Sequence, residues 1–311
     1  MKSIKVFYPV GIENIWHHNA DNTNRYRLDG IEKLVRLKSR IDKDRKFKLI
    51  NVSNVDIETL KSIHSIDYIE SLKTGSPLNL AQTSGLIWQE SLAQAFANCA
   101  KSVTLACKDA LLNRASVALS SGGHHAIKSR GYGLNPISEV AIAIENLHKE
   151  NPDLKIVVLD LDIHAGNGFQ NLLQNKKNII VYDLWSKSIS EWDIPLYATN
   201  IKSYKVDTLD EYKICLENTL NEIKDLNPDL VIYHSGADVV QTDRLGGISG
   251  FTKDDFEQRE LKVISTILHL EIPIAVVLGG GYVKYTDANQ VESLREKLVD
   301  LHYYTFKLLT E

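Results

Sequence analysis

Six short apolar runs, rich in β-branched residues, limit what this chain can fold into more than any other feature of its sequence. Each run ends in glycine, aspartate or serine, as β-strands commonly do, and the runs cover residues 3–10, 115–120, 155–160, 178–183, 230–236 and 272–281. Stretches with helical periodicity separate them, over residues 24–42, 86–113, 137–150, 208–226, 253–270 and 288–308. Strands that are apolar on both faces and alternate with helices predict an α/β fold with a mostly parallel central sheet and helices on both faces.

A single domain over residues 1–311 is the organisation that this pattern favours. The chain shows no internal repeat, low-complexity tract or linker rich in Pro, Gly and Ser, and its 43% of apolar residues is enough for a large core. A net charge of -4 argues against a nucleic-acid partner, and no apolar segment is long enough for a membrane helix. The three cysteines, whose spacing fits neither a disulfide framework nor a metal site, lead us to expect a cytoplasmic protein.

Polar side chains gather where four of the six predicted strands end. Open α/β sheets bind their ligands beyond the carboxyl ends of the strands, so side chains at those ends are candidates for a functional site. The segments SGGHHA, DIHAGNG, ADVVQTD and GGGY each follow a predicted strand. They bring six candidates to one rim: His124, His125, Asp162, His164, Asp238 and Tyr282.

The string DLDIHAGNG predicts a metal site. Side chains two residues apart in an extended segment point the same way, so Asp162 and His164 can bind one ion, with Asp160 beside or behind them. Asp238 can supply a third ligand, which leaves a divalent ion one open position for water, as in catalytic sites. Zinc suits these ligands, and iron(II) or cobalt(II) could occupy them as well. The alternative is a capped strand end with solvated carboxylates.

The adjacent histidines His124 and His125, which follow two glycines, are candidates for proton transfer. Near pH 7 a neutral imidazole can take a proton from water, and an imidazolium can return it to a leaving group. Asp160 and Asn167 are candidate partners, and two different partners would separate the pKa values of the two histidines. The alternative is a pair of ordinary histidines, one buried and one solvated.

The segment LGGGYV places Tyr282 on a glycine-rich loop. It lacks both the G-x-G-x-x-G spacing and the Lys-Ser/Thr pair of phosphate-binding loops, which argues against a nucleotide-binding protein. A phenol on such a loop can donate a hydrogen bond to a developing oxyanion. The alternative is a buried tyrosine that packs over a turn.

Taken together, four segments resemble those of the zinc-dependent deacetylases of the arginase/deacetylase superfamily, which includes histone deacetylases and acetylpolyamine amidohydrolases. The segments are SGGHHA, DLDIHAGNG, SGADVVQTDRLGG and LGGGY, and they occur in the family's order and at similar separations. NRYRLDGIEKL and IHSIDYIESL are similar to two early helices of the family, so the resemblance covers nearly the whole chain.

The resemblance implies a role for each residue already singled out. Asp162, His164 and Asp238 would bind the zinc ion. His124 and His125 would be the catalytic histidines, with Asp160 and Asn167 as their respective partners. Tyr282 would polarise the substrate carbonyl.

The chain departs from the family pattern in several places. Ala165 stands where a second histidine usually follows the ligand, and Asp183 stands where a serine often helps to bind a structural monovalent cation such as K⁺. The resemblance further implies a substrate channel lined by Tyr132, Trp192 and Gly280. The rim aspartate that holds the peptide backbone in protein deacetylases has no match in NLAQTSGLIWQES.

The resemblance implies an amide hydrolase that removes an acetyl or other acyl group from an amine. The amine could belong to a protein lysine, a polyamine or a small metabolite, and the missing rim aspartate favours a small or unusual substrate. A ureohydrolase fits less well, because Gly166 interrupts the D-x-H-x-D string that two manganese ions need. A binder of acylated ligands without turnover is a further alternative, and the oligomeric state is left open.

Overall fold

A computed structural model describes residues 3–15, 26–187, 198–283 and 290–311 of the chain. Within them, eight strands form one sheet in the order β2-β1-β3-β8-β7-β4-β5-β6, and each neighbouring pair runs parallel. The strands are β1 (Ile4–Pro9), β2 (Phe47–Val52), β3 (Ala115–Ala118), β4 (Ile156–Asp160), β5 (Ile179–Trp185), β6 (Ile201–Lys205), β7 (Leu230–Ser235) and β8 (Ile274–Leu278). The predicted α/β fold is confirmed, with a described sheet that is wholly rather than mostly parallel.

Helices separate the strands and cover the sheet. They are α1 (Tyr26–Ile41), α2 (Ile66–Thr74), α3 (Leu78–Ala81), α4 (Leu92–Asn113), α5 (Glu139–Glu150), α6 (Asn167–Leu173), α7 (Leu209–Leu226), α8 (Lys253–His269) and α9 (Val291–Leu308), with a 3₁₀ helix at Ile57–Ser62. All residues of β3, β4, β7 and β8 are buried, as expected for strands covered on both faces. None of the helices in the described ranges is long and apolar enough to span a bilayer.

The two strands that the sequence did not predict lie at the two edges of the sheet. β2 and β6 are only partly buried, and their sequences FKLINV and IKSYK mix lysine and polar residues with apolar ones. An edge strand does not need the continuous apolar run that identifies a strand buried on both faces. The predicted start of α4 was also wrong: turns and irregular backbone occupy residues 82–91, and the helix begins at Leu92.

The order of the strands brings four strand ends together near the middle of the sheet. β3 pairs with β1 and lies three positions from β4, and β8 and β7 occupy the two positions between them. The carboxyl ends of β3, β8, β7 and β4 are therefore adjacent. These are the four strands after which the polar segments follow, so the fold brings those segments to one place.

His64 is a buried histidine that fixes the loop between β3 and α5. Its Nδ1 lies 2.9 Å from the carbonyl of Ile127, to which it donates, and its Nε2 accepts from the N–H of Ser138 at 3.0 Å. In this neutral tautomer, each of the two ring nitrogens of His64 takes part in a hydrogen bond. Burial lowers the pKa of His64 from its ordinary value of 6.5 to about 4.

We expect His64 to make the protein less stable as the pH falls from about 6.5 to about 4. Between these values the unfolded chain binds the proton and the folded chain does not, so acidification favours unfolding. Between pH 7 and pH 5 the free energy of unfolding should fall by about 2 kcal/mol more in the wild type than in His64→Asn, whose amide does not titrate in this range and can still donate to the carbonyl of Ile127. Urea unfolding at the two pH values measures the difference, and an equal fall in both proteins would contradict the expectation.

Candidate active site

Three buried side chains with metal-ligand chemistry meet at the strand ends. Asp162 and His164 extend from the segment after β4, and Asp238 extends from the segment after the neighbouring strand β7. His164 Nδ1 lies 3.1 Å from Asp162 Oδ1 and 3.1 Å from Asp238 Oδ2. One ligating atom from each residue lies within 4.8 Å of the others. The fold therefore brings together the three residues that the sequence singled out as ligands.

Backbone N–H groups hold both carboxylates of this cluster. Asp162 Oδ1 accepts from the N–H of His164 at 2.9 Å, and Asp238 Oδ1 accepts from the N–H of Ile163 at 3.1 Å. Asp162 Oδ2 accepts from the N–H of Gly280. A Cβ atom at Gly280 would overlap the carboxylate of Asp238, so this close approach requires glycine.

The cluster attracts positive charge strongly. Burial by itself would lower the pKa of His164, but its hydrogen bonds to Asp162 and Asp238 raise it to about 11. Burial and the charge of Asp162 together raise the pKa of Asp238. Two buried carboxylates at this separation repel each other unless a positive charge lies between them.

The donor set fits a divalent metal ion with a free coordination position. His164 turns Nδ1 towards the carboxylates while its Nε2 lies 3.2 Å from the carbonyl of Leu245, the kind of support that fixes the tautomer of a ligand histidine. The two carboxylates would offset the charge of the ion. Imidazole and carboxylate donors together suit zinc and also iron(II) or cobalt(II).

The two adjacent histidines lie beside this cluster. Their ring centroids are 3.8 Å apart, and His124 Nε2 lies 3.8 Å from Asp162 Oδ1. Each ring has a different partner at Nδ1: Asp160 Oδ2 lies 2.9 Å from His124, and Asn167 Oδ1 lies 3.0 Å from His125. These are the two partners that the sequence suggested.

His125 is held in the neutral form. Burial and the neighbouring His124 lower the pKa of His125 well below 6.5. Its Nδ1–H then donates to Asn167, which leaves the lone pair on Nε2 to accept a proton. Asn135 fixes the backbone at this point by accepting the N–H of His125 at 3.1 Å. The role of Asn135 could not be predicted, because nothing in the segment LNPISE indicates that its side chain reaches back to the histidines.

A third histidine, which sequence analysis also missed, shares Asp160 with His124. His234 on β7 has Nδ1 2.6 Å from Asp160 Oδ1 and Nε2 2.8 Å from the carbonyl of Ser121. Burial would lower the pKa of His234, but Asp160 raises it to about 9. Burial would raise the pKa of Asp160, but His234 and His124 hold it at about 2. The sequence signal that could have identified His234 was the presence of a histidine inside the apolar run LVIYHS.

His234, His124 and Asp162 form a second group with metal-ligand spacing. Both histidines of this group already bind Asp160 through Nδ1, whereas His164 directs its Nδ1 at two carboxylates. The group of Asp162, His164 and Asp238 is therefore the better metal site.

Replacing His234 with leucine should lower the free energy of unfolding by about 3 kcal/mol, because Asp160 would lose a buried partner of opposite charge. His234→Gln keeps a hydrogen-bond donor and should lose less. Urea unfolding of the wild type and both variants at pH 7 measures these losses. A leucine variant as stable as the wild type would show that Asp160 does not depend on this second histidine.

The backbone of Tyr282, just beyond β8, is fixed from the segment that follows Asp238. The N–H of Tyr282 donates to Asp243 Oδ2 at 2.6 Å, and the N–H of Arg244 donates to the carbonyl of Tyr282 at 3.3 Å. Burial and the charge of Asp238 raise the pKa of Asp243 to about 7. This role of Asp243 could not be predicted from the sequence, because it depends on contact between two distant segments.

A cavity of about 50 Å³ reaches these groups. Its polar lining includes Asp162 of the metal-ligand cluster, His124 of the histidine pair and Tyr282. Its apolar lining includes Ile12, Ile31, Leu34, Leu86, Phe96 and Leu134. A small group that enters the cavity would therefore meet all three kinds of polar side chain at once.

The three residues expected to line a substrate channel have different surroundings. Gly280 lines the cavity, next to the carboxylates. Tyr132 lies edge-on to His125 with ring centroids 6.5 Å apart, and the cavity lining includes its neighbours Gly133 and Leu134. Trp192 lies outside the described residues.

Asp183 lies on β5, directly opposite Asp160 of β4. Its Oδ2 accepts from the N–H of Gly166 at 3.0 Å and from Gln170 Nε2 at 2.6 Å. Its buried Oδ1 has no hydrogen-bond partner within the part of the chain that the structure describes. Burial and the charge of Asp160 raise the pKa of Asp183. A buried carboxylate oxygen without a partner is costly, and a cation or a proton beside it would offset that cost.

Comparisons with known sequences match most of the chain. The family model described as the histone deacetylase domain matches residues 21–298. An uncharacterized protein of Picosynechococcus sp. is 28% identical over 233 residues, which cover 72% of this chain and 75% of that protein. Histone deacetylase 2 of Arabidopsis thaliana is 25% identical over 261 residues, which cover 79% of this chain and 66% of that protein. The chain covers about half of the longer vertebrate relatives, for example 53% of histone deacetylase 1 of Homo sapiens.

A comparison of structures matches nearly the whole chain. The crystal structure of an acetylpolyamine aminohydrolase from Burkholderia pseudomallei is similar with a TM-score of 0.71 over 98% of this chain and 99% of that chain. The two sequences are 15% identical, so this likeness establishes the fold, an arginase/deacetylase-like α/β fold, and not the substrate.

Proposed function

The chain belongs to the histone deacetylase family, and from this premise we propose that it is a metal-dependent amide hydrolase that removes an acetyl or other acyl group from an amine. The observation that carries the proposal is the shared cavity. A metal-ligand carboxylate, a histidine with a carboxylate partner and a tyrosine all line it. Hydrolysis of an unactivated amide needs these three elements together: an activated water, a proton carrier and a donor for the oxyanion.

The metal centre would consist of Asp162, Asp238 and His164 through Nδ1. Members of the family are generally metal-dependent, and we propose zinc, with iron(II) or cobalt(II) as alternatives for the same donors. A bound divalent ion would polarise the amide carbonyl and lower the pKa of a water molecule from 15.7 to about 7.

His125 would take the proton of the attacking water at Nε2. It is neutral, and Asn167 holds its Nδ1–H, so the lone pair on Nε2 is free to accept. His124, oriented by Asp160, lies next to the same cluster and would present its Nε2 to the reacting groups. As the carbon–nitrogen bond breaks, one of the two imidazoles returns a proton to the amine nitrogen, and the products are the carboxylic acid and the free amine.

Tyr282 would donate its phenol hydrogen to the carbonyl oxygen as negative charge develops there. The hydrogen bond from its backbone to Asp243 sets the position of this residue before substrate arrives. A donor fixed in advance does not need to reorganise during the reaction, which is why such donors lower the barrier.

The substrate is proposed as an acylated amine: an acylated protein lysine, a polyamine or another small metabolite. We propose that Tyr132, Trp192 and Gly280 line its path. The missing rim aspartate favours a small amine, and the similar bacterial structure is that of an acetylpolyamine aminohydrolase, so an acetylated diamine is the first probe to try.

We further propose that residues 1–311 act as a single catalytic domain with a structural K⁺ ion at Asp183. A reducing compartment such as the cytoplasm suits the three cysteines, Cys99, Cys107 and Cys215, which are all free thiols.

The function is tested by release of amine from two substrates side by side, an acetyl-lysine peptide and an acetylated diamine. The protein is loaded with zinc, and Tyr282→Phe at the same concentration is the control. Release that falls strongly in the control supports the hydrolase and identifies the better substrate class. If zinc binds but neither substrate is cleaved, two explanations are left: an acyl group or amine different from those of both probes, or a binder of acylated ligands without turnover.

A further inference from the structure

One buried arginine contacts both segments that carry the carboxylate ligands. Arg259 on α8 is only 3% exposed. Its Nη1 donates to the carbonyl of Leu161 at 3.1 Å, and its Nη2 donates to the carbonyl of Gly236 at 2.8 Å. Leu161 directly precedes Asp162, and Gly236 lies two residues before Asp238. A single guanidinium group therefore joins the two segments immediately before their ligands.

The position of Arg259 matters because the regular pairing of the two strands ends at this point. β4 and β7 pair as far as Asp160 and His234, and the N–H of Leu161 still donates to the carbonyl of His234 at 3.0 Å. Beyond this bond, the ladder no longer sets the distance between the two segments. The two hydrogen bonds of Arg259 continue the connection up to the metal ligands.

The charge of Arg259 is balanced by its neighbour in sequence. Glu260 Oε1 accepts from Arg259 Nε at 2.7 Å. The Glu260 carboxylate also accepts from the hydroxyl of Tyr233 at 2.5 Å and from that of Ser235 at 3.0 Å, and both of these residues belong to β7. The ion pair is thus satisfied on all sides, and it anchors α8 to the strand that leads to Asp238.

Only arginine can make this set of contacts. Its planar guanidinium directs three N–H groups at the two carbonyls and at Glu260 in fixed directions. A lysine ammonium is a single point of charge on a flexible chain, so it cannot hold two carbonyls on separate segments at a fixed distance.

We propose that Arg259 is a positioning residue that sets the separation of Asp162 and Asp238 and so tunes the affinity of the site for its metal. This inference rests on the metal centre of the proposed function. Arg259 touches neither ligand side chain, and it acts through the backbone on each side. Losses of about 10–100-fold in metal affinity are typical when a residue that supports a metal ligand is removed.

The test compares Arg259→Lys with Arg40→Lys and with the wild type. Arg40 contacts Glu296 and Asp300, away from the site, so it reports the general effect of replacing arginine by lysine. Competition with a zinc chelator measures the zinc Kd of each protein, and amine release at saturating zinc gives kcat and KM. We expect Arg259→Lys to raise the zinc Kd by about 10–100-fold. Its kcat should also fall at unchanged KM, while Arg40→Lys keeps the wild-type values.

The outcomes separate this inference from the proposed function. A wild type that binds no zinc would overturn both together. If the wild type binds zinc and Arg259→Lys binds it equally well, the positioning role alone is overturned. If Arg259→Lys does not fold, Tyr233→Phe replaces it, because this change removes one hydrogen bond from Glu260, the carboxylate that orients the guanidinium of Arg259, and so loosens the contacts of Arg259 with the two ligand segments. A zinc Kd for Tyr233→Phe that equals the wild-type value would then overturn the inference, and a raised Kd with an unchanged melting temperature would support it.

Discussion

An Asp238→Asn variant is expected to lose both zinc binding and amide hydrolysis. Asparagine has nearly the shape of aspartate and can still accept the N–H of Ile163, so the backbone around it should keep its position. It lacks the negative charge, and its amide is a poor ligand for zinc beside a single remaining carboxylate. The loss of activity should therefore exceed the roughly 10–100-fold typical of a residue that only supports a ligand.

The stability of this variant should depend on zinc differently from that of the wild type. In the zinc-free protein, burial would lower the pKa of His164, but hydrogen bonds to Asp162 and Asp238, both 3.1 Å, raise it to about 11. Asp238→Asn therefore removes one partner of a buried positive charge and should lower the free energy of unfolding. Zinc at about 1,000 times its Kd should stabilise the wild type by roughly 4 kcal/mol and the variant hardly at all. Thermal unfolding with and without zinc measures both effects.

Asp109→Asn is the matched control for this experiment. Asp109 is a buried carboxylate on α4 that pairs with Lys5 at 2.5 Å, away from the cluster. Its replacement should destabilise the protein, because Lys5 loses its partner, and should leave the response to zinc intact. An Asp238→Asn protein that zinc still stabilises like the wild type would mean that the metal binds elsewhere.

The inner part of the fold could be predicted from sequence because burial on both faces leaves a clear pattern. Ile156–Asp160 and Leu230–Ser235 are short, apolar and ended by polar residues, and both are strands. The edge strand Ile201–Lys205 is at least partly exposed along its whole length, so it can contain lysines. These lysines interrupt the apolar run by which a buried strand is recognised in a sequence. The order of strands in the sheet is set by packing between distant segments, and the sequence contains no local sign of it.

The candidate site likewise contains some residues that could be predicted from the sequence and others that could not. Residues that carry chemistry, such as His164 and His125, stand out because their types are rare at the ends of buried strands. Residues that support them do not, because their roles exist only through contacts across the fold. His234 reaches Asp160 from 74 positions away in the chain, and Asp243 reaches the backbone of Tyr282 from 39 positions away. A histidine within the buried strand Leu230–Ser235 was a signal for His234, whereas nothing in the local sequence marks the role of Asp243.

Tyr282→Phe should lower kcat by about 10²–10³-fold, the usual effect of removing one donor to an oxyanion. The variant loses only the hydroxyl group. The backbone of residue 282 still donates to Asp243, at 2.6 Å in the wild type, so the loop should stay in place. The phenol is expected to act mainly once negative charge develops on the carbonyl oxygen, so KM should change little. The zinc Kd should equal that of the wild type, because Tyr282 is not one of the three ligands.

Tyr303→Phe provides the matched control, since it makes the same chemical change outside the proposed site. Tyr303 on α9 donates its hydroxyl to Asp44, so its replacement should leave kcat within a few-fold of the wild type. Steady-state kinetics on the better of the two substrates, together with the zinc Kd of each protein, separate the possibilities. A Tyr282→Phe enzyme with wild-type kcat would remove this residue from the mechanism. A large rise in KM at unchanged kcat would instead assign its hydroxyl to substrate binding, because an interaction made equally in the ground state and the transition state does not lower the barrier from the bound complex.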